Sequence, residues 1–220
     1  MRICVLGHTH LTFCVAVAAA RRGFIPVPKE EIDSADMIFV AWDIDTLPDG
    51  TRIHSLELGR TVNELEYKLK PIVLMTQVEP GFCRERYGHL YYQPEILRIK
   101  DGTARAYAPD CIVVGSATPN DGLPDVYEEY LKAFKCPIFT TNYETAEFSK
   151  VAINMYLASQ VDTTNRLAKA AALAGADWDA LRQALSQDKR IGDYTTPGRW
   201  EDSIHLLRDY VTLRRIEDAR

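Results

Sequence analysis

The chain has 220 residues, 46% of them hydrophobic and 26% charged, with a formal net charge of -5. Those values fit a globular protein that buries a core, and an acidic balance without a basic stripe excludes nucleic acid and anionic membrane as expected partners. Five scattered cysteines suit reduced thiols, no run approaches the ~20 apolar residues that span a bilayer, and no leader is read at the N-terminus, so the expected location is cytoplasmic.

In chain order, "MRICVLGHTHLTFCVAVAAARRGF" opens with an apolar strand, Ile3 to Leu6. A turn at Gly7 leads into an Ala-rich helix over Phe13 to Arg22. This is the frame of a dinucleotide-binding unit, whose turn carries G-x-G-x-x-G. Here Thr9 and Thr12 stand at the second and third glycine positions. Further buried strands are expected at Met37 to Ala41, Ile72 to Met75 and Ile112 to Val114, with a helix over Leu56 to Leu69 between them. That alternation is α/β architecture with a parallel sheet. "CPIFTTN" predicts one more strand. From Thr145, about thirty residues with helical periodicity lead to a stop at Gly175, and Asp177 is placed to cap a following helix. The expected organisation is a Rossmann-like α/β domain over 1–142 and an all-helical dimerisation domain over 143–220. An apolar helix of such length needs a partner to cover its faces, which predicts a homodimer.

From Thr76 onward the residues resemble the nucleotide-sugar 6-dehydrogenase family, the UDP-glucose and GDP-mannose dehydrogenases. "TQVEPGF" resembles the family's S-T/Q-V-P-P-G-T turn, and "QPEILR" followed by "RAYAPDCIVVG" is similar to its P-E-F-L-R-E-G-x-A segment and the next strand. "ETAEFSKVAINMYLASQVDTTNRLAKAAALAGAD" resembles the long central helix with E-x-x-K-x-x-x-N, and "QDKRIGDYTTPG" the D-x-R-I-G loop. The resemblance implies a Rossmann-like domain, a helical dimerisation core and a second nucleotide-binding domain, with this sequence ending before the third. It also implies a sugar nucleotide as ligand and NAD as the family's cofactor, although the departures that follow leave no cofactor expected for this sequence.

Three departures set this sequence apart. Thr9 puts a branched side chain where bare backbone admits a pyrophosphate, leaving Gly7 and Thr9 as a degenerate cofactor turn. Roughly fifty residues of the pattern are missing by the resemblance, including the second strand and its ribose-binding acid, with only Glu30 and Glu31 nearby. The thioester-forming cysteine is replaced: in "DSIHLLRD", His205 falls on the cysteine, Arg208 on the lysine and Asp209 on the aspartate. Ile99 stands at the proton-transfer glutamate, while Glu95 remains, and Gln77 takes a position often held by catalytic Thr.

What the resemblance leaves is a partial sugar-nucleotide pocket between the domains. Lys150 and Asn154, four apart and so on one helix face, would meet the reacting sugar. Arg190 would reach a partner's sugar, with Glu95 and Gln77 as further substrate contacts. His205 and Asp209, four apart if helical, would form an oriented imidazole able to act as a base. "GHTH" is too sparse for a metal site, and none is assigned. Thr9 and Thr12 are also read as hydroxyl caps of the first helix, and Trp178 and Trp200 as core or interface anchors. The expected function is a diverged nucleotide-sugar dehydrogenase homologue that binds a sugar nucleotide or similar anion without the two-step oxidation. The alternatives are an active NAD-dependent oxidoreductase with an atypical cofactor turn and a non-catalytic regulatory or assembly subunit.

Overall fold

The structure, a computed structural model, describes residues 1–51, 56–86, 89–97, 101–188, 191 and 198–218. The described chain divides into two compact units, Met1–Asp45 with Ile53–Lys150, and Thr46–Arg52 with Val151–Arg220.

The first unit is built on a seven-stranded sheet: β1 (Arg2–Leu6), β2 (Ile25–Val27), β3 (Met37–Val40), β4 (Ile72–Leu74), β5 (Leu90–Tyr92), β6 (Ile112–Ser116) and β7 (Ile138–Asn142). Its order is β2-β1-β3-β4-β5-β6-β7. All neighbours pair in parallel except β5 with β6, which meet antiparallel at Tyr92 and Gly115. The expected mixed α/β fold with its parallel sheet is therefore present. Central β3 reads Met-Ile-Phe-Val with every residue buried, as a strand covered on both faces must. Met37 and Phe39 pack with α1 (His10–Arg21), through Leu11, Val15 and Ala18, and with the tyrosines of α4 (Asp125–Lys132). Ile38 and Val40 pack on the other face with Leu58, Val62 and Leu65 of α2 (Leu56–Leu65). A short helix, α3 (Gly102–Tyr107), lies against α1.

One expectation is corrected here. The second strand is not missing: β2 pairs in parallel with β1, Arg2 opposite Ile25 and Cys4 opposite Val27. Pro26 and Pro28 hide it from propensity, and an edge strand tolerates proline because its outer side needs no partner. After it, Glu30 and Glu31 sit in an exposed 3-10 turn, Lys29–Ser34. The first helix starts three residues earlier than its periodicity suggests, at His10. The Leu56 helix ends at Leu65, and a 3-10 turn, Glu66–Lys68, continues it.

The long helix α5 (Tyr143–Leu173) carries 31 residues and ends at Gly175, whose φ of +72° a side chain would strain. The division between the units falls within it. The second unit holds the rest of α5, then α6 (Trp178–Leu185), capped by Asp177 through the amides of Asp179 and Ala180, and α7 (Ile204–Asp218). A turn borrowed from far upstream belongs to this unit as well. Gly50 lies so close to Leu207 and Val211 of α7 that a Cβ would come within 2.9 Å of Val211 Cγ2. Trp200 anchors this unit by donating its ring N–H to Asp162 at 2.9 Å and packing on Tyr210.

Candidate functional site

In a sheet of this order, the chain leaves β1 to one side for β2 and to the other for β3, so the switch point lies at the carboxyl ends of β1 and β3. Ligands of open α/β sheets bind there, with phosphates on the amides of the first helix. Gly7 keeps a φ of +141°, and a Cβ on it would come within 2.4 Å of both Ala41 O and Thr12 Oγ1. The Thr12 hydroxyl fills that space. It donates to Ala41 O at 2.5 Å and accepts the Thr9 N–H at 3.2 Å. Thr9 is the N-cap residue of α1, and its own hydroxyl accepts the Asp43 N–H at 3.3 Å. The Ala41 N–H goes to Leu6 O, and Trp42 N–H to Thr76 Oγ1. The turns after β1 and β3 are thus stitched together by side-chain hydroxyls. A pyrophosphate needs bare, unengaged amides at this helix start. The residues present do not fit a dinucleotide in that mode, because Thr12 occupies the approach and holds the Thr9 amide.

The second polar cluster is arranged by the first turns of α5. Tyr143 OH donates to Leu90 O at 2.5 Å, and Glu144 takes two bonds from Arg84, at 2.8 and 3.0 Å. Glu147, fully buried, accepts the amides of Gly81 at 2.6 Å and Cys83 at 2.8 Å, so the turns following β4 hang from one carboxylate. Burial pushes the Glu147 carboxyl above its ordinary value, and the two amides with the Cys83 thiol pull only part of the way back. Burial and the adjacent Glu147 charge drive the Cys83 thiol well up, so it is held as the neutral, unreactive form. One turn further on, Lys150 Nζ lies 3.2 Å from Glu95 Oε1, both nearly enclosed, and Glu95 Oε2 accepts the Leu97 N–H at 2.8 Å. The ammonium keeps donors beyond the one facing Glu95 while the pair as a whole is close to neutral, which suits hydrogen bonding to hydroxyls or a weak oxyanion. Gln77 is buried in the turn that follows β4.

In the helical unit, Asn154 of α5 donates through Nδ2 to Asp209 Oδ2 of α7, both buried. Arg208 packs beside it, with Nε 3.9 Å from Asp209 Oδ1 and Nη1 3.5 Å from Thr46 Oγ1 of the upstream turn. Segment 204–218 is helical, so His205 and Asp209 do stand one turn apart. Their surroundings differ sharply: His205 is exposed and Asp209 wholly enclosed.

The structure therefore brings Lys150 to Glu95 and Asn154 to Asp209, and keeps Gly7 and Thr9 at the switch point. Arg190 and Ile99 lie outside the described residues. Among the described residues, no group of three or more metal-ligating side chains is assembled, and no helix is long and apolar enough to cross a membrane. Two features escaped the sequence reading. Glu147 holds the turns after β4, a role signalled only by its place in E-x-x-K. Thr12 bridges to Ala41, 29 residues away, with no local signal at all.

Residues 144–203 match the family model described as the UDP-glucose/GDP-mannose dehydrogenase family, central domain. A UDP-glucose 6-dehydrogenase of Pseudomonas aeruginosa is 33% identical over 195 residues, which take in 80% of this chain and 43% of that protein. Another from Bacillus subtilis is 33% identical over 99 residues, 45% of this chain and 22% of that one. The chain thus spans less than half the length of either relative. Among solved structures, a UDP-glucose dehydrogenase from Pyrobaculum islandicum aligns with a TM-score of 0.74 at 20% identity, covering 99% of this chain and 68% of that one. A UDP-D-ManNAc dehydrogenase from Pyrococcus horikoshii gives 0.73 at 16% identity with the same coverages. At those identities, the two structures establish a shared fold.

Proposed function

We propose that this chain is a diverged homologue of the UDP-glucose/GDP-mannose dehydrogenases that binds a sugar nucleotide or similar anionic ligand without the NAD-dependent two-step oxidation. The observation that carries this is the Thr12 hydroxyl at the switch point, joined to Ala41 O and the Thr9 amide where a cofactor phosphate would need open backbone. The exchange of the thioester-forming cysteine for His205 supports the same reading, since an imidazole cannot form the thioester that the second oxidation passes through.

On this proposal Lys150, its charge balanced by Glu95, donates to a sugar hydroxyl, and Gln77 contributes an amide. Asn154 and Asp209 act as a pair in which the carboxylate fixes the orientation of the amide. Arg190 meets the ligand's anionic part in a homodimer built on α5, in the cytoplasm. The test is calorimetric titration of the full chain with UDP-glucose and GDP-mannose, together with NADH absorbance after adding NAD. Saturable heat with at least one sugar nucleotide and no NADH is expected. Steady NADH formation overturns the loss of oxidation, and absence of binding to either probe overturns the ligand assignment.

A further inference from the structure

At the carboxyl end of β5 the fold buries an amide and uses only half of it. Gln93 is the first residue after β5, and its main-chain N–H donates to Leu74 O at 2.9 Å, which keeps it beside the end of β4. The residue is 8% exposed. Its Oε1 accepts the Tyr127 hydroxyl at 2.9 Å. Its Nε2 has no hydrogen-bond partner among the described residues.

Tyr127 fixes which way the amide faces. It lies in the first turn of α4, fully buried, with its ring against those of Tyr91 and Tyr130 at 5.4 and 6.5 Å. Burial pushes the phenol well above its ordinary value, so the hydroxyl keeps its hydrogen. Among the described residues, Gln93 Oε1 is the acceptor that this hydrogen finds. A flipped amide would set Nε2 against the phenol and leave that hydrogen buried and unmade. The two N–H donors of Gln93 are therefore held away from the aromatic cluster.

A glutamine with unmade donors costs a core more than a leucine or methionine of similar volume. Two residues further along the same segment, Glu95 meets Lys150 at 3.2 Å, the pair assigned above to a sugar hydroxyl. We propose that Gln93 is a specificity residue of that site, its Nε2 donating to a second oxygen of the ligand's sugar, and that Tyr127 is the positioning residue that keeps the donor end toward the ligand. This rests on the sugar-nucleotide reading and adds a requirement to it: the ligand supplies an acceptor oxygen besides the one that meets Lys150. A ligand without that oxygen leaves the amide unpaired, which is how polar sites reject deoxy analogues most strongly.

The experiment is calorimetric titration of the full chain with UDP-glucose and GDP-mannose, with circular dichroism confirming that each variant folds. Gln93→Leu is expected to weaken the nucleotide that binds about tenfold. Tyr127→Phe keeps the ring but frees the amide to turn, for an expected weakening of about threefold. The double variant Gln93→Leu/Tyr127→Phe exchanges both polar partners for apolar groups, a change that a core tolerates. It is expected to bind as Gln93→Leu does, because Tyr127 acts only through Gln93. Analogues of the bound nucleotide that lack one sugar hydroxyl each locate the acceptor. One of them is expected to bind the wild type about tenfold more weakly than its parent, and to bind the double variant equally with it. Unchanged affinity in the folded double variant, or a double variant that discriminates among the analogues as the wild type does, overturns this proposal and leaves the sugar-nucleotide reading standing. Further weakening when Tyr127→Phe is added to Gln93→Leu overturns the positioning role. No saturable heat with either nucleotide in the wild type overturns the sugar-nucleotide reading and this proposal with it.

Discussion

The turn after β1 and the first turns of α5 lie in the same unit, and they treat their polar groups in opposite ways. Around Gly7 the hydrogen bonds are neutral, partly exposed and made by threonine hydroxyls to the main chain. Along α5, Glu147, Lys150 and Glu95 place ionisable groups under nearly complete cover, each with a fixed partner. The first region fills its turn with threonine methyls and hydroxyls, which costs a fold little. The second holds groups that are expensive to bury unpaired, so it resists piecemeal change. Substitution is easier to absorb at a glycine turn than within a buried charged cluster.

Breaking the α5 cluster carries the largest expected effect. Lys150→Met leaves the Glu95 carboxylate buried without its cation, and a loss of about 3–5 kcal/mol in urea unfolding is expected. Adding Glu95→Leu to that variant is expected to recover most of the loss; if it does not, the pair is not what holds these residues. Glu147→Gln comes next, at about 1–3 kcal/mol, because the amide nitrogen faces a main-chain N–H and leaves a buried donor unmade.

Glu147 also predicts a pH dependence. Its folded pKa is raised above the ordinary 4.5, chiefly by burial. The folded chain therefore holds this proton more tightly than the unfolded chain does. The contribution is fully present below 4.5 and disappears as pH rises through the folded value. Unfolding midpoints measured across that interval should decline with pH in the wild type, and Glu147→Gln should flatten this part of the decline. An unchanged slope in the variant would assign the dependence to other groups.

At the β1 turn the expected change is smaller. Thr12→Val keeps the shape but strands Ala41 O and the Thr9 amide next to partial solvent, for a loss of about 1–2 kcal/mol. A loss as large as that of Lys150→Met would erase the contrast between the regions. Smallest of all is Arg84→Ala, which removes an exposed pair with Glu144; its effect should vanish in high salt.

Much of this was legible in the residues. Strands β1, β3, β4 and β6 show as apolar runs, because a strand covered on both faces must be apolar throughout, and β7 shows as the short stretch CPIFTTN running into a turn. The long helix shows by its period and by the terminal Gly175. Edge strand β2 was hidden by its prolines, and β5, Leu-Tyr-Tyr, by lacking the β-branched apolar run that marks the equally short β4. Lys150 and Asn154 were legible as neighbours on one helix, but their partners Glu95 and Asp209 lie 55 residues away in each case, beyond the reach of any local pattern. Thr9 and Thr12 were recognised as out of place in a cofactor turn. That Thr12 reaches across to Ala41 is a property of the folded sheet, because parallel pairing of β1 with β3 alone brings those turns together.

The most direct test of the account is calorimetric titration of the wild-type chain with NAD up to millimolar concentration, repeated on the Thr9→Gly/Thr12→Gly double variant. No saturation in the wild type is predicted, since the threonine hydroxyls hold the turn that would receive the phosphates. Micromolar binding by the wild type, unchanged in the double variant, would show that the stitched turn does not keep the cofactor out.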